Sequence, residues 1–345
     1  VVVSVLAGDA GTGDIVLTAD TAATVTETDG WEYLEEGSVS TVTPANGQRS
    51  TEVLIEGERL RGGGASVDSV TLGGVEVAEI FVQDDSQVFV AAARGDATDA
   101  PVDVVLTSDT GAQVTAADAW TYLAEGEITD VSPASGQVNT EVTLSGSALF
   151  GGGDSLLHVT LVGQDATIAS ESDDEIKIIV QSGGTGVGDI LITSNTGALV
   201  SLIDGFEYLS DPVIDSVDPA AGQVGTYITI TGRYLLGGGS EFVAQSLVGI
   251  DVLEFVSHET DDSDNHVVIV RVASDSAVDG GAGVGDVLLT SDTGSTATLA
   301  DGFTYEEASV ISDASPASGQ YGTVVTLSGT NLLGASNGTE IIKVS

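Results

Sequence analysis

Several residue types that often carry chemistry are missing or scarce in this chain of 345 residues. It has no cysteine, which excludes disulfides, thiolate metal sites and a cysteine nucleophile. It has 8 Lys and Arg against 53 Asp and Glu, so its net charge is −45. Nucleic-acid recognition requires a basic surface that neutralises phosphates. This charge therefore excludes a DNA-binding or RNA-binding role.

Methionine is also absent, so we expect Val1 to be a processed or cut end, with any signal peptide or anchor outside the sequence. No apolar run approaches the roughly 18 residues that a membrane-spanning helix needs, which predicts no membrane insertion in this segment. Apolar residues make up 41% of the chain and the mean hydropathy is +0.25, so the sequence is not that of a disordered protein. An acidic, cysteine-free chain of this kind predicts an extracellular or cell-surface setting.

A block with the pattern Pro-x-x-Gly-Gln recurs along the chain, and its prolines are spaced 89, 86 and 97 residues apart. Two further blocks accompany it, an apolar strand followed by a Thr-Gly turn and a closing aromatic-x-Tyr pair. The prolines are Pro44, Pro133, Pro219 and Pro316, and the closing pairs are Trp31/Tyr33, Trp120/Tyr122, Phe206/Tyr208 and Phe303/Tyr305. The chain is therefore a tandem array.

The period and the residue patterns predict an all-β fold. A unit of about 90 residues is too long for a solenoid repeat and matches a small β-sandwich. Alternation of apolar and polar residues is explicit in stretches such as 141–144, where we expect Val142 and Leu144 to point inward and Thr143 to face solvent. The same alternation places Trp31 and Tyr33 on one face of a strand.

These motifs resemble a known family. Residues 133–137, Pro-Ala-Ser-Gly-Gln, followed by 140–146 are similar to the opening signature of IPT/TIG domains, the immunoglobulin-like modules of plexins and transcription factors. The resemblance covers essentially the whole chain and implies tandem immunoglobulin-like β-sandwiches arranged end to end as a rod. The family's G-x-N-F stretch appears as Gly329-Thr330-Asn331-Leu332, and the other units depart from it. A sandwich hosts many roles, so the resemblance implies a fold more than a function.

The phase of the repeat divides the chain into five parts. Three complete domains span 37–125, 126–209 and 210–307, between the C-terminal part of a split sandwich at 1–36 and the N-terminal part of one at 308–345. Linkers such as 35–37 are short, which predicts a stiff rod. A fragment below about 40 residues cannot bury enough surface alone, so each split part is expected to need a partner.

Two interpretations explain the split parts. In the first, the chain is the structural protomer of an extracellular filament or pilus-like fibre, and copies of it join head to tail by strand complementation between the half-domains. In the second, it is an adhesive or ligand-binding stalk segment of a longer cell-surface repeat protein. The first interpretation predicts a subunit interface that includes Val1, Val2, Val3, Val5, Leu6, Leu327, Leu332, Leu333, Ile341, Ile342, Val344, Arg59 and Arg61.

Arg59 and Arg61 enter this interface because four of the eight basic residues fall in the first complete domain. An arginine-rich face would meet an acidic neighbour through paired carboxylates. A simple solvated surface is the alternative, since exposed ion pairs contribute little. The adjoining Gly62-Gly63-Gly64 and its counterparts lack the lysine and helix of a phosphate-binding loop, so they predict tight loops between strands.

Catalytic and metal-binding signals are weak. No histidine shows a catalytic or metal-ligand spacing that recurs between units, which predicts that the chain is not an enzyme. The acidic loop at 259–266 is the candidate for Ca²⁺, with Asp261, Asp262, Asp264 and His266 as ligands. Solvated turns explain the same residues equally. Asn337 lies in the sole N-glycosylation sequon, so covalent glycans are a further expectation.

Overall fold

The computed structural model of the chain describes residues 2–6, 8–247, 253–261, 263–272, 283–334, 338–341 and 344. Within these ranges the regular structure is β-strand, and no helix occurs. Among the same residues, none form a helix with the length and hydrophobicity that crossing a membrane demands. The prediction of an all-β fold of tandem immunoglobulin-like sandwiches is confirmed.

Unit 1 comprises strands β3 to β11, which form two sheets with the strand orders β3-β5-β9-β8 and β4-β11-β10-β6-β7. Its strands are β3 (Ser38–Thr43), β4 (Asn46–Gly47), β5 (Glu52–Glu58), β6 (Val67–Leu72), β7 (Val75–Glu76), β8 (Glu79–Gln83), β9 (Gln87–Ala91), β10 (Val102–Ser108) and β11 (Gln113–Tyr122). The pairings are antiparallel except that β4 runs parallel to β11.

Unit 2 comprises strands β12 to β19 in the order β12-β14-β17-β16-β15-β18-β19-β13, because the long strand β16 pairs with a strand of each sheet and links the two. Its strands are β12 (Glu127–Ser132), β13 (Ser135–Gly136), β14 (Glu141–Ser147), β15 (Leu156–Leu161), β16 (Gln164–Glu171), β17 (Glu175–Ile179), β18 (Gly186–Ser194) and β19 (Leu199–Tyr208).

Unit 3 repeats the two-sheet arrangement, with the orders β20-β22-β25-β24 and β21-β27-β26-β23. Its strands are β20 (Val213–Asp218), β21 (Ala221–Gly222), β22 (Tyr227–Arg233), β23 (Phe242–Leu247), β24 (Leu253–Thr260), β25 (Asn265–Val272), β26 (Gly283–Ser291) and β27 (Thr296–Tyr305).

Each unit has a hydrophobic core of its own. The inward residues of facing strands alternate with outward ones, as Val142 and Leu144 do while Thr143 is half-buried. The closing aromatic residue fills each core, since Trp120, Phe206 and Phe303 are fully buried. Burial of such large apolar side chains supplies most of the favourable free energy that holds each sandwich together.

A separate hairpin lies at each end of the chain. The N-terminal hairpin pairs β1 (Gly11–Thr18) with β2 (Thr24–Tyr33), and the C-terminal hairpin pairs β28 (Val310–Ser315) with β29 (Thr326–Thr330). The rings of Trp31 and Tyr33 lie edge to face on one side of β2, as the alternation predicts, with their centroids 6.0 Å apart. Trp31 is 43% exposed, whereas its counterpart Trp120 is fully buried.

Strand β29 of the C-terminal hairpin is shorter than its sequence predicts. The alternating stretch that begins at Val324 predicts a strand, but β29 starts at Thr326. In unit 2 the corresponding residues, Glu141 and Val142, pair with β17. No strand equivalent to β17 lies beside β29 among the described residues, so its first residues lack the partner that would extend it.

Candidate functional site: the joints between units

A short turn near the start of each unit holds a glutamine in the same place. The recurrent proline before the turn follows a cis peptide bond in all four copies. The backbone N–H of the glutamine donates to the hydroxyl of a threonine three residues later, at 2.8 to 3.1 Å, in the pairs Gln48/Thr51, Gln137/Thr140, Gln223/Thr226 and Gln320/Thr323. This hydrogen bond fixes the backbone from which the glutamine side chain projects.

The side chain of Gln48 closes the joint between units 1 and 2. It is 1% exposed, and its Nε2 donates to the backbone oxygen of Leu199 at 3.1 Å. Its Oε1 accepts the backbone N–H of Gly126 at 2.6 Å. One buried amide of unit 1 therefore satisfies a carbonyl and an N–H of the following segment, which matters because buried polar groups are costly when unpaired.

Gln137 occupies the same place in the joint between units 2 and 3, with one difference. It is fully buried, and its Nε2 donates to the Tyr234 carbonyl at 3.1 Å and to Ser295 Oγ at 2.5 Å. Its Oε1 has no hydrogen-bond partner within the described ranges. Pro212, the residue before β20, stands where Gly126 precedes β12, and proline has no N–H to donate. The donor that Gly126 supplies to Gln48 is therefore missing from this joint.

Backbone contacts join the same surfaces. The N–H of Glu52 donates to the Thr196 carbonyl at 2.8 Å, and that of Glu141 donates to the Thr293 carbonyl at 2.9 Å. Both acceptors belong to the Thr-Gly turn before the last strand of the next unit. Arg49 adds a hydrogen bond from Nη2 to Ser201 Oγ at 3.2 Å in the first joint. The recurrent turn is therefore one half of a recurrent joint.

The triple glycines form part of the other half of each joint. Gly63, Gly152 and Gly238 have φ values of 83°, 91° and 82°, a left-handed conformation that glycine adopts without strain. A leucine that follows the closing tyrosine of the preceding unit packs on each of them. A Cβ on Gly63 would lie 2.5 Å from Leu34 Cδ1, and one on Gly238 would lie 3.1 Å from Leu209 Cδ1. The glycines therefore do more than turn the chain, because they also let two units approach.

The Thr-Gly turn also fixes the loop after the triple glycine. The side-chain oxygens of Asp109, Asn195 and Asp292 accept the backbone N–H groups of Ala65, Asp154 and Ser240 at 3.0 to 3.1 Å. Asp292 additionally accepts the Ser240 hydroxyl at 2.6 Å. That hydroxyl bond is the main reason why the pKa of Asp292 lies below its usual range.

The joints leave clefts at equivalent places. One of about 370 Å³ lies between units 2 and 3 and is lined by Gln137, Glu207, Tyr208, Tyr234 and Asp264 among others. Another of about 510 Å³ lies between the N-terminal hairpin and unit 1, with Glu32, Tyr33, Arg59, Gly63 and Asp85 in its wall. Both are rimmed by carboxylates.

The stretch that corresponds to G-x-N-F has a backbone explanation. A Cβ on Gly146 would collide with the Glu127 carbonyl across the β12–β14 pair, and the equivalent glycines 57, 232 and 329 are equally tight. Two residues later the backbone is left-handed, with φ of 50° at Ala148 and 53° at Asn331. Asparagine tolerates that conformation better than alanine does. The motif is therefore a structural element of the sandwich.

The structure places the predicted arginines at contacts within the chain. Arg59 donates from Nε to the Glu36 carbonyl at 3.1 Å, and its Nη1 lies 3.4 Å from Glu35 Oε2. Arg61 donates from Nη2 to the Gln83 carbonyl at 2.9 Å. The acidic neighbours of Arg59 are thus Glu35 in the linker before unit 1 and Glu58 within unit 1, whose Oε2 lies 3.3 Å from Nη1. The Arg59–Glu35 pair is exposed, so it contributes at most about 1 kcal/mol.

The acidic loop uses its carboxylates internally. Asp261 accepts the backbone N–H groups of Ser263 and Asn265 and the Asn265 amide, which lowers its pKa, the Asn265 side chain having the largest effect. His266 is buried, with its Nε2 3.1 Å from Asp264 Oδ1. Asp262 lies outside the described residues. Among the residues that are described, no group of three or more His, Asp or Glu is arranged to hold a metal ion, and the Ca²⁺ site stays a prediction.

The remaining predicted interface residues lie at the two ends. Residues 2–6, which include Val2, Val3, Val5 and Leu6, are exposed and form no strand. The equivalent strand of unit 2, β17, is held between β14 and β16. Leu327 and Leu332 are half-buried, and Leu333, Ile341 and Val344 are exposed. Val1, Ile342 and Asn337 lie outside the described residues.

Sandwiches joined in this way define a tandem immunoglobulin-like protein. The model of the IPT/TIG domain family matches residues 127–208 and 212–305, which together make up half of the chain. The chain therefore belongs to the IPT/TIG family, as its motifs predict. No curated protein matches the sequence.

Solved structures resemble the chain at low identity. The full extracellular region of plexin A4 has 16% identity and a TM-score of 0.39, and the match covers 83% of this chain and 26% of that one. An SGBP-B from the mixed-linkage glucan utilization locus of Bacteroides ovatus has 13% identity and a TM-score of 0.23, and the match covers 76% of this chain and 77% of that one. An SGBP-B from a xyloglucan utilization locus in Bacteroides uniformis has 15% identity and a TM-score of 0.24, and the match covers 77% of this chain and 86% of that one. The chain spans about a quarter of the plexin region that it matches.

Proposed function

We propose that the chain is a non-enzymatic stalk segment of a cell-surface protein, in which rigidly joined IPT/TIG units hold an adhesive or ligand-binding surface away from the cell. The observation that carries this proposal is the recurrent joint. The same glutamine turn, Thr-Gly turn and triple glycine meet between units 1 and 2 and between units 2 and 3. Buried hydrogen bonds at each joint restrict independent motion of the units.

Charge supports the surface setting. A net charge of −45 is spread over all units, which keeps neighbouring stalks apart through like-charge repulsion. The same charge favours neutral or basic partners over acidic ones.

Small-angle X-ray scattering of the purified chain tests the rod. We expect one extended particle whose maximum dimension is insensitive to salt. A distribution of bent forms that varies between preparations would contradict rigid joints. Protease treatment of intact producing cells tests the location, because a surface stalk is released by external protease and an internal protein is protected.

A filament is the second candidate, and exposed apolar faces at the terminal hairpins favour it. Ile15, Leu17 and Val25 of the N-terminal hairpin are 40 to 70% exposed, whereas their counterparts Val104, Leu106 and Val114 are buried in unit 1. On the C-terminal hairpin Ile311 is 61% exposed, and its counterpart Ile128 is buried. A complete sandwich has two sheets, and each hairpin begins one of them. The sheet that is missing at one end of the chain is the sheet that the hairpin at the other end begins.

We propose, as this second candidate, that hairpins of two copies complete one sandwich head to tail. Repeats of the same polypeptide would cover the faces equally well and continue the stalk. Intact mass of the native protein separates these cases, followed by negative-stain microscopy. A mass near 34.6 kDa with long polymers supports the filament. A much larger mass with short rods rejects it.

A further inference from the structure

An exposed apolar cluster lies on the outer face of the β3-β5-β9-β8 sheet of unit 1. It consists of Leu54, Phe81, Val82 and Phe89, and we name it the aromatic patch. Phe81 is 43% exposed and Val82 is 49% exposed, while Leu54 and Phe89 are half-buried. The rings of Phe81 and Phe89 are 5.3 Å apart and tilted by 42°.

A β-bulge creates the patch. In the β8–β9 pair, Ile80 lies opposite Val90 and points into the core, and the register shifts before Val82 pairs with Phe89. The extra residue, Phe81, is turned outward together with Val82. A bulge redirects side chains in this way at the edge of a sheet.

The aromatic character of the patch belongs to unit 1 and not to the fold. The register positions of Leu54, Val82 and Phe89 are held by Thr143, Ser170 and Lys177 in unit 2 and by Thr229, Ser257 and Ile269 in unit 3. The bulged residues that correspond to Phe81 are Ala169 in unit 2 and Val256 in unit 3. The sandwich therefore folds without aromatic residues at these places, and core packing does not account for Phe81 and Phe89.

Carboxylates surround the patch. Glu52 and Glu56 flank Leu54 on the same face of β5, and Glu79 begins β8; all three are exposed. Strand β8 is also an edge strand, since it pairs with β9 alone in the part of the chain that the structure describes. The Gln83 carbonyl at its end accepts Arg61 Nη2 at 2.9 Å, so the free edge is the part of β8 before Gln83. A second copy of this chain would bring the same carboxylates and a net charge of −45 against them, which disfavours self-association here.

We propose that the aromatic patch and the free edge of β8 bind an extended segment of another protein in which apolar residues and Lys or Arg take turns at every second position, so that they share one face of the added strand. Its backbone adds as a strand to β8, its apolar side chains cover Phe81 and Val82, and a cation on the same face pairs with Glu79, while Glu52 and Glu56 add to the negative potential of that face. This inference rests on the binding role proposed for the stalk and assigns it to one surface.

The test uses the full chain and a fluorescent peptide of about eight residues, a length typical of a strand, in which Lys and Val take turns at every second position with Thr between them. Fluorescence anisotropy measures its Kd for the native chain, for the double variant Phe81→Ser with Val82→Ser, and for Leu157→Ser. Leu157 is an exposed apolar residue of unit 2 and serves as the matched control. Thermal melting of each variant checks that unit 1 remains folded.

We expect the double variant to weaken binding by about tenfold or more, as the loss of an apolar anchor does, and Leu157→Ser to leave it unchanged. Replacing Glu79 with Gln should weaken binding by a few-fold, and raising salt from about 0.05 M to about 0.5 M should weaken it further. Equal binding by the folded double variant would overturn the proposal, because only the overall charge would then attract the peptide. Equal binding of a peptide with Glu in place of each Lys would overturn the charge argument. Neither result alters the rod dimension measured by scattering, so the two proposals fail separately.

Discussion

Replacing Gln48 with alanine removes the side chain that closes the joint between units 1 and 2. The Leu199 carbonyl and the Gly126 N–H would both lose the amide that pairs with them. An unpaired buried polar group costs about 1–3 kcal/mol, and water entering the vacated space recovers part of this. We therefore expect the joint to lose about 2–4 kcal/mol.

The repeat supplies graded controls for this prediction. Gln137→Ala should cost less than Gln48→Ala, because it also removes an Oε1 that finds no partner among the described residues. Gln320→Ala should cost close to nothing, since Gln320 is exposed.

Differential scanning calorimetry of the full chain measures the costs, and scattering measures the loss of alignment between units. The expected order is Gln48→Ala, then Gln137→Ala, then Gln320→Ala. Equal effects of Gln48→Ala and Gln320→Ala would refute the argument that the buried amide stabilises the joint.

Four further variants test local physics. Ala148→Asn should stabilise unit 2 by about 0.5–1 kcal/mol in urea unfolding because its backbone is left-handed, and Ala148→Val should destabilise it. Tyr122→Phe should stabilise unit 1 by about 1 kcal/mol, because the buried hydroxyl has no partner in the described structure. Burial raises the pKa of Tyr122 to about 12, so the wild type should lose stability above pH about 10 and the variant should lose less; identical alkaline profiles would contradict this. Burial, and then the neighbouring His266 at 2.8 Å, lower the pKa of His258, so the stability that the neutral His258 contributes is present above pH about 6.5 and falls as the pH drops. His258→Phe should flatten the acid side of the melting profile of unit 3, and an unchanged profile would exclude the pair as its cause.

Much of the fold could be predicted because the repeat exposes it. Alternation at Val142 and Leu144 has period two, which only a strand converts into one buried face. The recurrence of Pro-x-x-Gly-Gln indicated the number of units. The joint was missed although its signal was visible, since Gln48 and the triple glycine at 151–153 recur together. Sequence spacing cannot show that they meet, because they belong to different units.

The amino-acid sequence by itself determined the β-class, the tandem order and the family, because these follow from periodicity, repetition and motifs, and its net charge predicts that nucleic acid is not a partner. The tertiary structure decided which groups face one another. It paired Gln48 with Gly126 across a joint, left Gln137 Oε1 without a partner among the described residues, and turned Phe81 outward through a bulge. Such contacts depend on register and on the packing of one unit against the next, which residues distant in sequence set together.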